Sequence, residues 1–398
     1  MRALVVAEFY PSRRDPVLGI WAHRQALAAR DAGAEVRVLV LHRIVPPRAA
    51  LAAGPRAGAR ALTQLAREPR TQTRDGLQVT YVPYISPDRR RTYATWGAWA
   101  APTLAAAMAR VHRAFRYDVV HAHNAVPSGD AVRRAFALHA PRAPLLVSVH
   151  GGDVLYTAAQ MRGGEQAVRR PFAASKLVLA NSGGIAELAR EHGARETLVV
   201  HLGTDLPAPA RPARRSGLPA LVTVAHLVAR KRHADVLRAL AVLTPRHPTL
   251  RYEIVGDGPE RAALEALAER LGVRERVDFH GQLAPEQAVA QARQCTLFVM
   301  PSTEEAFGVA YVEAMAGGVP AIGCRGEPGP EEIAAAGDGL VLVPPGDIER
   351  LTQRIDELLS DSHRLHEARQ RARATVASNF TWQRCGAQTV AAYERAAQ

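Results

Sequence analysis

The sequence predicts an α/β protein of two doubly wound, Rossmann-like domains, and three features support this. Short β-branched runs alternate with Ala-, Leu- and Arg-rich runs of helical period, which is typical of parallel sheets covered by helices. The alternation stops once, at the proline-rich linker 205–219, and then restarts. A chain of 398 residues also exceeds what one hydrophobic core commonly serves. We therefore expect domains at 1–205 and 206–380.

Helices and strands can be assigned along both halves of the chain. Helix Ile20–Ala32 has apolar positions every three or four residues and Gly33 as a C-cap, and a helical tail begins at Asp347. The strands predicted in the first half are Ala3–Glu8, Glu35–Leu41, Gln78–Pro83, Asp118–His123, Leu145–His150, Leu177–Asn181 and Leu198–His201. Those predicted in the second half are Ala220–Ala225, Tyr252–Val255, Val277–Phe279, Leu297–Met300, Ala321–Gly323 and Leu340–Val343. Ligands of such folds bind where the strands end, so we expect a cleft between the domains to hold the site.

The composition favours a cytoplasmic protein. The N-terminus carries an acid at Glu8 and lacks the charged and apolar regions of a signal peptide, and no run reaches 18 strongly apolar residues. Cys295, Cys324 and Cys385 are far apart, so we expect neither a disulfide framework nor a structural zinc site.

The excess of positive charge belongs to one half of the chain. Residues 1–205 hold 28 Lys and Arg against 15 Asp and Glu, whereas residues 206–398 hold 23 of each. Only Lys176 and Lys231 are lysines, so an arginine-rich composition explains the residue type but not its segregation. The asymmetry favours an anionic membrane surface or anionic acceptor over nucleic acid. A basic half without any partner is the alternative.

The block Pro301–Pro320 contains two acids, Glu305 in a loop and Glu313 in a helix that we expect to begin near Phe307. This places Glu305 and Glu313 about 9–12 Å apart along the helix axis, farther than the two catalytic carboxylates of a retaining glycosidase. This separation suits a molecule with hydroxyls at both ends and a diphosphate between them. The free amides of a helix N-terminus at Phe307–Val309 would receive the diphosphate. Two solvated acids on an amphipathic helix are the alternative.

Lys231 stands where a strand gives way to a helix. A lysine there can reach a diphosphate and neutralise charge on a leaving group, although most basic loops are only solvated. Two glycine turns follow, Gly256-Asp-Gly-Pro-Glu260 and Phe279-His-Gly281. Individually such turns indicate little more than sharp bends.

In this order the motifs resemble the retaining GT-B glycosyltransferases called glycosyl transferases group 1, or family 4. The resemblance covers nearly the whole chain, and it is most specific in Pro-Ser-x-x-Glu-x-Phe-Gly-x-x-x-x-Glu at 301–313. It implies the GT-B fold with an interdomain cleft, a nucleotide-diphosphate sugar as donor, and no cofactor or metal. It also implies that a terminal helix, 381–398, packs back on the N-terminal domain.

The resemblance assigns roles in the donor site. Lys231 would bind the diphosphate, Glu313 the ribose and Glu305 the sugar. The sequence departs from the family at His226, where an arginine is usual, and at Arg232, where a glycine is usual. Since an imidazole is only partly charged at neutral pH, leaving-group stabilisation would depend on Lys231 and Arg230. The donor-binding residues expected from the resemblance are Gly19, His226, Arg230, Lys231, Gly256, Phe307, Gly308, Val309 and Glu313.

The first half resembles the acceptor domain of the same family. Its stretch Gly19-Ile-Trp-Ala-His-Arg-Gln25 is most similar to the teichuronic-acid and exopolysaccharide type. His150 is expected near the reacting sugar, and His123 and Asp153 near the acceptor. His121 shares a strand face with His123, but no third metal ligand is evident. The alternative for each histidine is a structural residue at the end of a strand, whose hydrogen bonds are made within the protein.

The segment Arg89–Trp99 combines three arginines with Tyr93, Trp96 and Trp99. Such side chains suit the boundary between lipid headgroups and water, so any peripheral contact with the inner membrane face is expected here. A mobile basic loop is the alternative.

These observations lead to one functional hypothesis. A retaining hexosyltransferase would move a sugar from a nucleotide-diphosphate sugar to a glycan or lipid-linked acceptor in cell-surface polysaccharide synthesis. No residue is placed as a covalent nucleophile, so front-face attack is expected, with His150, Lys231 and Glu305 serving catalysis. The alternatives are a nucleotide-sugar epimerase or hydrolase on the same scaffold and a non-catalytic binder of anionic surfaces.

Overall fold

The computed structural model describes residues 1–12, 15–46, 48–66, 70–207 and 218–398. The described residues divide into two compact units: unit 1 is Met1–Val200 with Cys385–Gln398, and unit 2 is His201–Arg384. The division lies close to the linker predicted at 205–219, of which residues 208–217 fall outside the described residues.

Unit 1 is built on one sheet. Its described strands are β1 (Arg2–Ala7), β2 (Glu35–Arg43), β3 (Thr71–Arg74), β4 (Leu77–Tyr84), β5 (Val119–His123), β6 (Leu145–Val149), β7 (Leu177–Ala180) and β8 (Thr197–Val199). They follow the order β3-β4-β2-β1-β5-β6-β7-β8, and only the β3–β4 hairpin is antiparallel. Leu4, Val5 and Val6 of β1 are fully buried because both faces of a central parallel strand are covered.

Helices connect these strands. Those described in unit 1 are α1 (Ile20–Asp31), α2 (Arg48–Ala52), α3 (Pro55–Ala66), α4 (Arg89–Thr92), α5 (Trp96–Ala114), α6 (Asp130–Ala137), α7 (Gly164–Ala174) and α8 (Gly183–Glu191). Gly33, just beyond α1, has a φ of 100°, the left-handed conformation expected of the predicted cap. Two short helical turns, Ala125–Gly129 and Gly152–Ala158, follow β5 and β6.

Unit 2 contains a second sheet, parallel throughout its described strands. They are β9 (Ala220–Val224), β10 (Arg251–Val255), β11 (Val277–Gly281), β12 (Leu297–Val299), β13 (Ala321–Cys324) and β14 (Leu340–Val343). Their order is β11-β10-β9-β12-β13-β14. The strand sequence reverses direction between β9 and β12, and this switch point is where doubly wound sheets bind ligands.

Capping residues define several helices of unit 2. Asp347 accepts a hydrogen bond from the Arg350 amide at 2.8 Å and starts α14, and Pro285 and Pro328 occupy the first positions of α11 and α13. The helices of unit 2 are α9 (His233–Leu243), α10 (Arg261–Arg270), α11 (Pro285–Arg293), α12 (Val309–Ala316), α13 (Pro328–Ala335), α14 (Ile348–Ser360) and α15 (Ser362–Asn379), and α16 (Trp382–Ala397) follows them in the chain.

The last helix, α16, belongs mainly to unit 1. Its residues from Cys385 onward group with that unit, as the resemblance implied for a returning C-terminal helix. Tyr393 Oη lies 2.9 Å from His121 Nδ1, and Gln25 Nε2 donates to Thr389 Oγ1 at 3.1 Å. Unit 1 is therefore formed from both ends of the described chain.

The predicted α/β class with parallel sheets is confirmed, and each predicted strand is present within one or two residues at either end. The hairpin strand β3 was missed. The helix expected to begin near Phe307 begins instead at Val309, because Gly308 adopts a φ of 86° outside the helical region. Within the described ranges no helix is long and apolar enough to cross a bilayer.

Candidate functional site

The carboxyl ends of β9 and β12 carry the two strongest site candidates. These strands are neighbours on opposite sides of the switch point in unit 2. The loop after β9 ends at Lys231, and the loop after β12 contains Glu305. Parallel strands end at one edge of a sheet, so residues 74 positions apart meet there.

Lys231 and Glu305 form a buried ion pair. Lys231 Nζ donates to Glu305 Oε2, and both side chains are 11% exposed. Ser302 Oγ donates to the same carboxylate oxygen at 3.0 Å. Burial pushes the pKa of Glu305 upward, but Lys231 and the other donors outweigh it, and the pKa falls below its ordinary value. The carboxylate is therefore ionised at neutral pH and ready to accept hydrogen bonds.

Arg230 joins the loops that carry this pair. Its guanidinium donates to the Glu304 carbonyl at 3.3 Å, and its own carbonyl accepts from the Thr303 amide at 2.9 Å. His226, on the same loop, is exposed, and its imidazole makes no hydrogen bond within the described residues. Arg232 has a φ of 55°, a conformation that glycine adopts most easily, which accounts for the glycine usual at this position.

The N-terminus of α12 lies directly after Glu305. Gly308 precedes the helix with a φ of 86°, and a Cβ at this position would collide with the Tyr311 ring. Phe307 is buried, with its ring 5.8 Å from that of His201. The amides of Phe307, Gly308 and Val309 donate to no group among the described residues. Such amides at a helix N-terminus can bind an anion.

Glu313 is the fifth residue of α12, half-buried and about one turn inside the helix. The predicted separation from Glu305 was measured along the axis of a helix that begins near Phe307. That assumption was wrong, because residues 305–308 are not helical. The Glu313 carbonyl accepts from Arg293 Nε at 2.9 Å, and the Glu313 carboxylate attracts the same guanidinium. Glu313 thus belongs to the α11–α12 side of the loop, outside the Lys231–Glu305 pair.

Gly256 has a structural reason to be glycine. Its φ is 137°, its amide donates to the Gly281 carbonyl at 2.8 Å, and a Cβ would collide with the Ala225 carbonyl. The loop after β10 can therefore press against the loop that leads to Lys231.

Two residues that support the site were missed from the sequence. Tyr311 donates from its buried hydroxyl to the Met300 carbonyl and fixes the end of β12. Glu327 Oε2 accepts from the Glu305 amide at 2.7 Å. Glu327 follows β13, the neighbour of β12, so the rule that parallel strands end at one edge could have identified it.

In unit 1 the predicted histidines cluster at the ends of β5 and β6. His123 Nδ1 and His150 Nε2 lie 3.0 Å apart, and their rings stack within 3° of parallel. His121 contacts Ser148 Oγ at 2.7 Å. Burial lowers the pKa of His121 and of His150 to about 3 and that of His123 below its ordinary value. At neutral pH all three rings are uncharged donors and acceptors.

Asp153 lies close to this cluster in the turn after β6. Its Oδ1 accepts from the Val126 amide at 3.2 Å, while its buried Oδ2 has no partner among the described residues. Burial raises the pKa of Asp153 to about 7. His150 Nδ1 and Trp21 Nε1 are likewise buried without a described partner, and the rings of these two residues are 6.0 Å apart. In native proteins such buried atoms are commonly bonded to ordered water or to a ligand.

Gly19 starts α1 with a φ of 71°, and a Cβ there would collide with the Phe9 backbone. In the basic segment predicted to contact a membrane, Tyr93 and Trp96 are buried in unit 1, and Trp99 is 50% exposed. Two of its three aromatic rings therefore pack inside the protein. Across the described ranges no group of three or more His, Cys, Asp or Glu is arranged to hold a metal ion.

Comparison with known proteins supports the predicted family. Glycosyltransferase Family 4 matches residues 18–208, and Glycosyl transferases group 1 matches residues 208–375. The chain is 31% identical to a D-inositol 3-phosphate glycosyltransferase of Streptomyces bingchenggensis, over 77% of this chain and 70% of that protein. Two other curated relatives, an exopolysaccharide phosphotransferase and a mannosyltransferase, are matched over only 22% and 50% of their lengths.

Solved structures share the fold. Sucrose-phosphate synthase from Thermosynechococcus elongatus superposes with a TM-score of 0.77 at 20% identity, covering 99% of each chain. Anabaena HepE, in complex with UDP and glucose, superposes with a TM-score of 0.72 at 21% identity, covering 99% of this chain and 100% of that one. The chain therefore has the GT-B fold and belongs to the glycosyl transferases group 1, or family 4.

Proposed function

We propose that the protein transfers a hexosyl group, with retention, from a nucleotide-diphosphate sugar to a glycan or lipid-linked acceptor. The observation that carries the proposal is the Lys231–Glu305 pair at the switch point of unit 2, beside a helix N-terminus with available amides. Membership of a glycosyltransferase family and the UDP and glucose bound by Anabaena HepE support the donor class.

In this proposal unit 2 binds the donor. Lys231, Arg230 and the amides of Phe307, Gly308 and Val309 would hold the diphosphate, since both a cation and a helix N-terminus stabilise an anion. Glu305 would accept hydrogen bonds from sugar hydroxyls and Glu313 from the ribose. In the structure Glu305 balances the charge of Lys231, so an arriving diphosphate would compete for this lysine.

The bond changes are those of a direct displacement. The acceptor oxygen would bond to the anomeric carbon while the bond from that carbon to the phosphate oxygen breaks. The acceptor proton would pass to the departing diphosphate, whose charge Lys231 stabilises. We assign no covalent nucleophile and propose front-face attack without a metal or other cofactor.

Unit 1 is proposed to bind the acceptor. His123 and Asp153 would orient the acceptor hydroxyl, and a neutral His150 would hydrogen-bond the reacting sugar. A protonated Asp153 carboxyl could donate a hydrogen bond and an ionised one could accept, because a pKa of about 7 leaves both forms populated. We place the reaction at the cytoplasmic side of a membrane, in cell-surface polysaccharide synthesis.

The test begins with the donor. Melting temperatures would be measured with UDP-, GDP- and ADP-sugars, and the stabilising donor would be incubated with candidate acceptors. Product anomeric configuration, read by proton NMR, should match that of the donor. An inverted product or a trapped glycosyl-enzyme would contradict the mechanism. Products from the donor alone would favour the epimerase or hydrolase alternative.

Variants then separate catalysis from binding of anionic surfaces. We expect Lys231→Ala and Glu305→Gln each to lower kcat/KM by about 100-fold or more, since each removes a charged interaction with the donor. The matched controls are Lys176→Ala and Glu304→Gln, both at exposed side chains. Unchanged activity in Lys231→Ala and Glu305→Gln would overturn the proposal.

A further inference from the structure

A pocket of about 360 Å³ lies in unit 1 where β1 and β2 end. This volume is within the range of small-molecule sites. Phe9, Leu41, Leu65 and Trp96 contribute apolar walls, and the charged groups at the pocket are Glu8, Arg43 and Arg89. The carboxyl end of a parallel sheet is where a ligand is expected, and no donor residue of unit 2 is involved.

The two arginines differ in the donors that they leave for a ligand. Arg43 Nε donates to Ser86 Oγ at 2.8 Å, and Arg43 Nη2 donates to the carbonyls of Ser86 and Pro87 at 3.0 and 2.9 Å, so only Nη1 of Arg43 is left for a ligand. Arg89 is 48% exposed at its side chain, and Glu8 is its single hydrogen-bond partner among the described residues. Nε and Nη2 of Arg89 are therefore available.

The guanidinium of Arg89 is nevertheless held in place. It lies over the rings of Phe9, Tyr93 and Trp96, at 5.0, 4.2 and 5.5 Å from their centroids. Stacking on aromatic faces fixes the plane of an arginine without using its hydrogen-bond donors. An oriented planar fork is the group that recognises phosphate or carboxylate with two hydrogen bonds.

Glu8 does not satisfy this fork. Its carboxyl, 8% exposed, lies 3.4 Å from Arg89 Nη1, longer than the roughly 2.7–2.9 Å of a strong charge-assisted bond. Instead Glu8 Oε2 accepts from the Tyr93 hydroxyl at 2.7 Å. The same hydroxyl lies 3.1 Å from the Val126 carbonyl, and the Val126 amide donates to Asp153. A short chain of contacts thus connects the pocket with the proposed acceptor carboxyl.

We infer that this pocket binds an anionic group of the acceptor, a phosphate or carboxylate, through Arg89, with the apolar walls against the adjoining carbon skeleton. The inference rests on the proposed function, because it names the chemistry of the acceptor. It makes Arg89 the residue that selects charged over neutral acceptors.

The experiment is a calorimetric titration of the full chain in a saturating concentration of the nucleoside diphosphate (UDP, GDP or ADP) that the donor screen selects, which keeps other anions from the proposed diphosphate site. The probes are inorganic phosphate, glucose 6-phosphate, glucuronate and glucose. The variants are Arg89→Gln and Arg89→Lys, with Arg91→Gln as the matched control because Arg91 is exposed two residues away and does not line the pocket.

We expect wild type and Arg91→Gln to bind an anionic probe more tightly than glucose, and Arg89→Gln to weaken that binding at least about tenfold. Arg89→Lys should recover only part of the affinity, since a lysine lacks the planar fork. Preference between glucose 6-phosphate and glucuronate would identify the anion. Equal binding by Arg89→Gln and wild type, or no saturable binding of any anion, would overturn the inference.

Nucleotide binding by the wild type tests the proposed function independently of the pocket. Failure of the wild type to bind any of UDP, GDP and ADP would contradict the donor assignment, while the comparison of Arg89→Gln with Arg91→Gln would still decide the pocket. Melting temperatures of the variants would also be measured without ligand. If Arg89 only stabilises the fold, anion affinity should fall in proportion to the loss of melting temperature, and this result would overturn the inference.

Discussion

At the scale of single residues, Asp153 predicts a distinctive pH dependence. Burial raises its pKa to about 7 in the folded protein, above the unfolded value of about 3.9. Between about pH 4 and pH 7 Asp153 therefore keeps its proton in the folded state and loses it in the unfolded state, so the free energy of unfolding falls as pH rises through this range. This loss of unfolding free energy is at most about 1.4 kcal/mol for each pH unit, and Asp153→Asn should remove it.

Melting curves at pH 5 and pH 8 would check this. The melting temperature of Asp153→Asn relative to wild type should rise between the two pH values, whereas the exposed Asp31→Asn serves as the control in the same unit. A relative melting temperature of Asp153→Asn that is the same at both pH values would contradict the raised pKa.

Gly308 gives a second prediction at this scale. Alanine there requires a strained φ and a collision with the Tyr311 ring, whereas Gly326 has a similar φ of 81° but open space. Gly326→Ala should therefore show the backbone strain alone, and Gly308→Ala should cost about 1–3 kcal/mol more. Urea unfolding would measure the difference, and only Gly308→Ala should also weaken binding of the nucleoside diphosphate (UDP, GDP or ADP) that the wild type binds. Equal costs would mean that the loop rearranges freely.

How far the sequence predicts the site depends on where each residue lies. Lys231 and Glu305 could be expected to meet, because each follows a recognisable strand beside the switch point. The support from Tyr311 could not be expected, since it depends on how the start of α12 turns back on Met300. The burial of Tyr93 and Trp96 could not be predicted either, because the composition of an arginine-rich segment does not show which face of a short helix packs against the core.

At the scale of elements, strands buried on both faces were predictable because they read as apolar runs. β3 was not, because Thr71–Arg74 contains no apolar residue and lies at a sheet edge. The start of α12 was misplaced by two residues because the backbone of Gly308, rather than a side-chain cap, sets it.

The attachment of α16 predicts an effect on unit 1. Tyr393→Phe removes the hydroxyl beside His121 Nδ1 and leaves a buried nitrogen without that partner, which should destabilise the protein by about 1–3 kcal/mol. Tyr156→Phe alters a side chain that is 54% exposed and should change stability by no more than about 0.5 kcal/mol. Chemical denaturation monitored by circular dichroism would compare them. Similar midpoints for both variants would show that the contact contributes little.

At the scale of the whole molecule, the excess of positive charge in residues 1–205 predicts binding to anionic surfaces. The protein should sediment with vesicles containing phosphatidylglycerol and not with vesicles of phosphatidylcholine alone. Raising the salt from about 0.1 M to about 0.5 M should release it, because screening shortens the range of these interactions. Salt-resistant binding, or equal binding to both vesicles, would contradict an electrostatic association.

The return of α16 to unit 1 also has a consequence for synthesis on the ribosome. His121 and Tyr393 are 272 positions apart, and all of unit 2 is translated between them. During synthesis, the α1 surface that contacts Gly386 therefore stays uncovered until α16 leaves the exit tunnel. Nascent chains stalled before residue 385 should expose this surface to chaperones even though every strand of the first sheet has already emerged.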